Sequence, residues 1–148
     1  EISLGLVGSE MCIRDRFPGW VRGDTKDKLL RKADVFFLPS YNEGMPMAVL
    51  DAMGYGLPVV STNVGGIPKI VHDGENGVCC EAGDVDRMSW AITELMLNEE
   101  LRENAGRDSM KIVKAKYSLE AHIEMLERVY VLCSHCNVCW WCSKHDYS

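Results

Sequence analysis

Two short apolar runs, residues 35–38 (VFFL) and 58–61 (PVVS), stand on either side of a segment whose apolar positions follow a helical period. Runs of this length without alternation predict strands covered on both faces, which is the condition of a parallel sheet. A helix joining two parallel strands crosses over with a right hand and packs on the sheet. The chain is therefore predicted to be α/β: a Rossmann-like parallel sheet with helices on both faces and a helical C-terminal end.

The remaining punctuation fits that plan. Residues 17–21 (FPGWV) read as a short strand end, and Gly23-Asp24-Thr25 supplies a turn and N-cap for a helix over 26–32 with Leu29, Leu30 and Ala33 on one stripe. After the first strand, residues 41–44 form a loop, Pro46 suits the first helical position, and a helix over 47–53 stops at Gly54 and Gly56. Gly65-Gly66 and Pro68 open a short helix that ends at Val71; Asp73-Gly74 and Asn76-Gly77 then turn the chain into a strand over 78–80. From Asp84 onward the period is helical, with Met88, Ile92, Leu95 and Met96 on one face and Leu101 in the next helix. Ser118 caps a last helix carrying Leu119, Ile123, Leu126 and Tyr130.

Composition narrows the function. Apolar residues make up 47% of the 148-residue chain and charged ones 26%, the balance of one globular domain. The formal charge of −6 supplies no basic stripe for nucleic acid, and no apolar run is long enough to span a bilayer.

In parallel sheets ligands sit outside the carboxyl ends of the strands. The richest such place is PSYNEGMPMAVLD, residues 39–51. Gly44 lets backbone approach a ligand, and the amides of Met47 and Ala48 lie at the positive end of a helix dipole, a ready phosphate site. Glu43 precedes the helix and Asp51 lies in its second turn. With a rise of ~1.5 Å per residue the two carboxylates flank a bound diphosphate rather than meet each other. That suits hydrogen bonds to hydroxyls on either side, a sugar at one end and a ribose at the other; a solvated loop acid and an exposed helix acid give the same spacing.

Several motifs occur together: Glu43-Gly44, Asp51-Ala52-Met53, Gly56-Leu57-Pro58-Val59-Val60, Gly65-Gly66-Ile67-Pro68 and Asp73-Gly74-Glu75-Asn76-Gly77. In this order and spacing they resemble the nucleotide-sugar-binding half of a family 4 glycosyltransferase, across residues 17–130. The resemblance implies the second domain of a GT-B fold, present here as a truncated sheet. It implies transfer, with retention, of a sugar from a nucleoside-diphosphate sugar to a glycan or lipid-linked acceptor, as in capsule, exopolysaccharide or lipopolysaccharide synthesis, with no cofactor and no metal. By the same resemblance Glu43 is the catalytic-face residue at the donor sugar. Gly44, Met45 and Pro46 bring backbone to the sugar; Met47, Ala48, Val49 and Leu50 lie along the phosphates; Asp51 accepts the ribose hydroxyls. Gly19-Trp20-Val21 occupies the region of the base. The expected partners are the donor, the acceptor and an N-terminal acceptor domain, with a cytoplasmic location peripheral to the inner membrane face.

Two features depart from the family. Asp51 stands where the family usually has Glu, one methylene longer, and the basic residues that neutralise the diphosphate are not found, so residues 17–131 are expected to be a partial domain inactive alone. A non-catalytic nucleotide-binding or interaction module is the alternative from another class, and a nucleotide-sugar epimerase of similar architecture a third.

Both ends read as foreign to that domain. Residues 1–16 resemble a translated transposase-type sequencing adapter, in which CTC GTG GGC TCG GAG ATG TGT ATA AGA GAC encodes Leu6 through Asp15 in order. Residues 132–148 hold Cys133, Cys136, Cys139 and Cys142 with His135 and His145. That spacing suits zinc or an iron–sulfur cluster only in a loop, and the abrupt change in composition favours a frameshifted or divergent tail. Cys79 and Cys80 read as structural thiols, His72 as a turn residue, and Met47, Met53, Met88, Met96 and Met125 as packing side chains.

Overall fold

A computed structural model describes residue 16 and residues 18–134. Most of the leader and nearly all of the Cys-rich tail lie outside them, so the adapter and metal expectations cannot be read there. Three parallel strands, β1 (Phe36–Leu38), β2 (Val59–Thr62) and β3 (Gly77–Cys80), pair in sequence order. Five helices surround them: α1 (Gly23–Leu30), α2 (Met47–Gly54), α3 (Val85–Leu97), α4 (Glu99–Lys116) and α5 (Leu119–Ser134). A 3-10 turn, Ile67–Lys69, lies between β2 and β3.

The period-2 geometry of β2 divides the core. Val59 faces a cluster of Val49, Leu50, Met53, Ile67, Ile70, Val71 and Ile112 from α2, the 3-10 segment and α4, while Val60 faces Ala91 and Leu95 of α3. Helices thus cover both faces. Each of the two valines is fully buried, which contributes about 1.5–3 kcal/mol apiece. Polar side chains cap the starts of α3, α4 and α5: Asp84 accepts from the Arg87 amide, Asn98 from that of Leu101, and Ser118 from that of Ala121. Each such cap contributes about 1 kcal/mol.

Some elements differ from the sequence reading. Residues 18–22 form no strand, because Pro18 withholds an amide hydrogen and Gly19 adopts a left-handed φ of +69°. Helix α1 starts at Gly23, before its expected N-cap, and Arg22 precedes it without a side-chain cap. Pro46 is the N-cap of α2 rather than its first residue. Phe37 of β1 is 43% exposed, since α3 packs on β2 and β3 and leaves that side chain bare. Of the five methionines read as packing, Met53 and Met88 are buried whereas Met47, Met96 and Met125 are exposed. Leu119, Ile123, Leu126 and Tyr130 form the expected stripe on α5 but no described element covers them. No helix among the described residues is long and apolar enough to cross a membrane.

Candidate functional site

The site begins with two hydroxyls inside the sheet. Ser61 and Thr62 end β2 fully buried, and they donate to the carbonyls of Leu38, the last residue of β1, and of Ser40, just beyond it. The two strand ends are thereby fixed to each other. Sequence reasoning missed both residues; the signal was a pair of polar side chains at the end of an otherwise apolar run.

The loop that leaves this anchor carries Glu43. Its side chain is half-buried, and Oε1 accepts from the Ser40 hydroxyl at 2.7 Å, leaving Oε2 without a partner among the described residues. The loop rests on Gly65-Gly66, where the Gly66 amide donates to the Gly44 carbonyl at 2.7 Å. The approach is close: a Cβ on Gly65, whose φ is +56°, would lie 1.6 Å from the Glu43 carbonyl oxygen. Two motifs far apart in sequence thus form one backbone-to-backbone contact.

Gly44 and Met45 are exposed, Pro46 is buried, and Met47 and Ala48 stand exposed at the start of α2. The amides of Val49 and Leu50 both turn back to the Pro46 carbonyl, and their side chains enter the core. Those of Met47 and Ala48 have no internal acceptor among the described residues and point out of the helix start. The first turn of α2 itself holds no acidic residue, which suits an anion at the positive end of its dipole. Within the expected phosphate segment, free amides are found only at Met47 and Ala48.

Asp51 lies one helical turn beyond Met47, half-exposed, and Lys26 of α1 donates to its Oδ2 at 2.7 Å. The carboxylate holds Lys26 above its ordinary pKa, chiefly through that hydrogen bond. On the next turn Asp27 accepts from the Tyr55 hydroxyl and, at 2.9 Å, from Arg31 Nε, while the Arg31 guanidinium lies over the Tyr55 ring. Glu43 and Asp51 therefore have separate partners, Ser40 and Lys26, and no hydrogen bond joins them. Trp20, in the expected base region, is exposed and stacks with Arg22.

Other candidates carry no chemistry here. Burial pushes the Cys79 thiol up to about 11 and raises that of Cys80 too, the opposite of an activated nucleophile. His72 sits in its turn, its amide donating to Asn76 and its ring paired with Glu75. No cluster of metal-ligating side chains occurs among the described residues. A half-open cleft between β3, α3 and α4 is walled mainly by Val78, Trp90, Ala91, Leu95 and Leu101, with Glu75 and Glu94 also lining it; apolar surface and carboxylates do not suit a phosphate.

In a parallel α/β sheet the helix start that follows a strand lies on the side where ligands bind. Residues 14–112 match the family described as glycosyl transferases group 1, and the chain belongs to that family. It is 32% identical over 127 residues to N-acetyl-alpha-D-glucosaminyl L-malate synthase of Bacillus anthracis, covering 86% of this chain and 33% of that protein. It is 35% identical to the capsular polysaccharide biosynthesis glycosyltransferase CapM of Staphylococcus aureus, over 66% of this chain and 26% of that one. A crystal structure of an S. aureus TarM mutant with Fondaparinux, alpha-GlcNAc-glycerol and UDP superposes with a TM-score of 0.64 at 25% identity, covering 72% of this chain and 22% of TarM. The chain thus spans about a third or less of the length of these relatives. Its relatives are named glycosyltransferases, and the fold is that of the second domain of GT-B enzymes.

Proposed function

We propose that this chain supplies the donor-binding half of a retaining, family 4 glycosyltransferase. Such an enzyme moves a sugar from a nucleoside-diphosphate sugar to a glycan or lipid-linked acceptor in cell-surface polysaccharide synthesis. The reading is supported by the free amides of Met47 and Ala48 at the start of α2, which lie in sequence between Glu43 and Asp51, two carboxylates held by separate partners, Ser40 and Lys26. The diphosphate lies on those amides, where the helix dipole stabilises charge that grows as the anomeric carbon–oxygen bond breaks. Glu43, aimed by Ser40, holds the donor sugar; Asp51 takes the ribose. No metal is assigned to the reaction. The acceptor comes from a further domain at the cytoplasmic membrane face, and residues 1–16 are a technical sequence outside the enzyme.

The test is turnover by the protein expressed from its complete gene, assayed with a panel of labelled nucleotide sugars. Glu43→Gln and Asp51→Asn should each lower kcat/KM by about 100-fold or more while leaving the melting temperature in place. Wild-type turnover by both variants would sink the assignment.

A further inference from the structure

The Lys26–Asp51 pair is poorly explained as a stabilising device. Both side chains are 43% exposed, and an ion pair in such a position contributes only ~0–1 kcal/mol. Helix α1 has no buried residue and is tied to α2 through Lys26 on Asp51 and through Asp27 and Arg31 on Tyr55. Lys26 is the only cation paired with Asp51 among the described residues.

The arrangement makes better sense as a recognition element. The ammonium has three donor hydrogens and uses one on Asp51 Oδ2; Oδ1 has no partner among the described residues. A ribose presents two adjacent hydroxyls, each able to donate and to accept. A lone carboxylate engages both as donors and needs reach to do so. Here Oδ1 can accept from one hydroxyl while Lys26 Nζ donates to the oxygen of the other, so the ammonium covers the ground that the short Asp51 arm does not. Helix α1 also begins directly after the Trp20 loop, so Lys26 lies six residues in sequence from the expected base region.

Resting on the donor-site reading above, we propose that Lys26 is a binding residue of that site, forming with Asp51 a mixed donor–acceptor pair that reads the vicinal hydroxyls of the ribose in a nucleoside diphosphate. A pair built to hydrogen-bond both hydroxyls rejects a sugar lacking one, because a desolvated charged group is then left unmatched.

The experiment is equilibrium titration of the protein from its complete gene with UDP, ADP and GDP. The tightest of these is then compared with its 2′-deoxy counterpart in wild type, Lys26→Met and Lys26→Arg. Wild type should prefer the ribonucleotide by about 10- to 100-fold. Lys26→Met should bind the ribonucleotide about 10-fold more weakly and lose most of that preference, with an unchanged melting temperature because no core contact is removed. Lys26→Arg, which keeps charge and donors, should restore it. Unchanged affinity and preference in Lys26→Met, alongside weakened binding in Asp51→Asn, would overturn the role of Lys26 and leave the donor site standing. Absence of binding of all three diphosphates to wild type would overturn the donor site and this inference with it.

Discussion

Replacing Gly65 by alanine tests whether the Gly65-Gly66 turn holds the Glu43 loop in place. The new Cβ would sit 1.6 Å from the Glu43 carbonyl oxygen and 2.7 Å from its carbonyl carbon, both backbone atoms that no rotamer change can remove. Relief requires the loop to retreat by more than an ångström. Gly65 also has a φ of +56°, where a side chain costs ~1–2 kcal/mol. Overpacking against backbone adds about 1–3 kcal/mol. The expected loss is thus about 2–5 kcal/mol, a fall in Tm on the order of 10 °C in a domain of this size. Activity should suffer beyond stability, since displacement by an ångström at a reacting group costs about 100-fold. The control is Gly74→Ala, where φ is +77° but no atom lies within 4 Å of the new Cβ, so only the backbone term remains. Calorimetric unfolding and turnover well below Tm separate the two effects. Equal losses in both variants, with turnover intact in Gly65→Ala, would refute the buttress.

Gly106→Ala should destabilise by about 1–3 kcal/mol even though alanine favours helices, because its Cβ would lie 2.2 Å from the Gly56 carbonyl oxygen where α4 crosses that turn; denaturant unfolding checks it. Asn76→Ala should cost about 2–4 kcal/mol by chemical unfolding, since this fully buried amide serves the Ile70 carbonyl and the His72 amide at 3.0 and 2.7 Å. Raised thiol values should make stability fall with alkalinity. Cys79 stays protonated in the native state up to about 11 whereas the unfolded thiol ionises near its ordinary 9.0, so stability present below pH 9 is lost progressively between those values. Thermal melts across that window check the sign, and Cys79→Ser should flatten the dependence.

The fold was legible because its signals are local. The apolar runs at β1 and β2, the glycines ending α2 and the periodic face of α3 each declare an element without reference to the rest. Glu43 and Asp51 were legible for the same reason, as neighbours of a strand end and a helix start. What stayed hidden depends on tertiary contact. Nothing near Lys26 announces that α1 will place it against a residue in another helix, and the hydroxyls of Ser61 and Thr62 gain their meaning only when β1 pairs beside β2. Met96 follows the helical period of α3 yet points to solvent, because periodicity gives a face its width only roughly. The strand expected at 17–21 failed where Gly19 takes a left-handed φ, a backbone fact that an apolar count does not carry.

The central claim is that a nucleoside diphosphate lies at the start of α2. Amide chemical shifts of isotope-labelled protein, followed during titration with UDP, ADP and GDP, test it most directly. The account predicts that the largest shifts fall at Met47 and Ala48, whose amides are free, with further shifts at Glu43, Gly44 and Asp51 and at Lys26 across the ion pair. Shifts confined to the apolar cleft at Trp90, Leu95 and Leu101, with the α2 start unmoved, would contradict it.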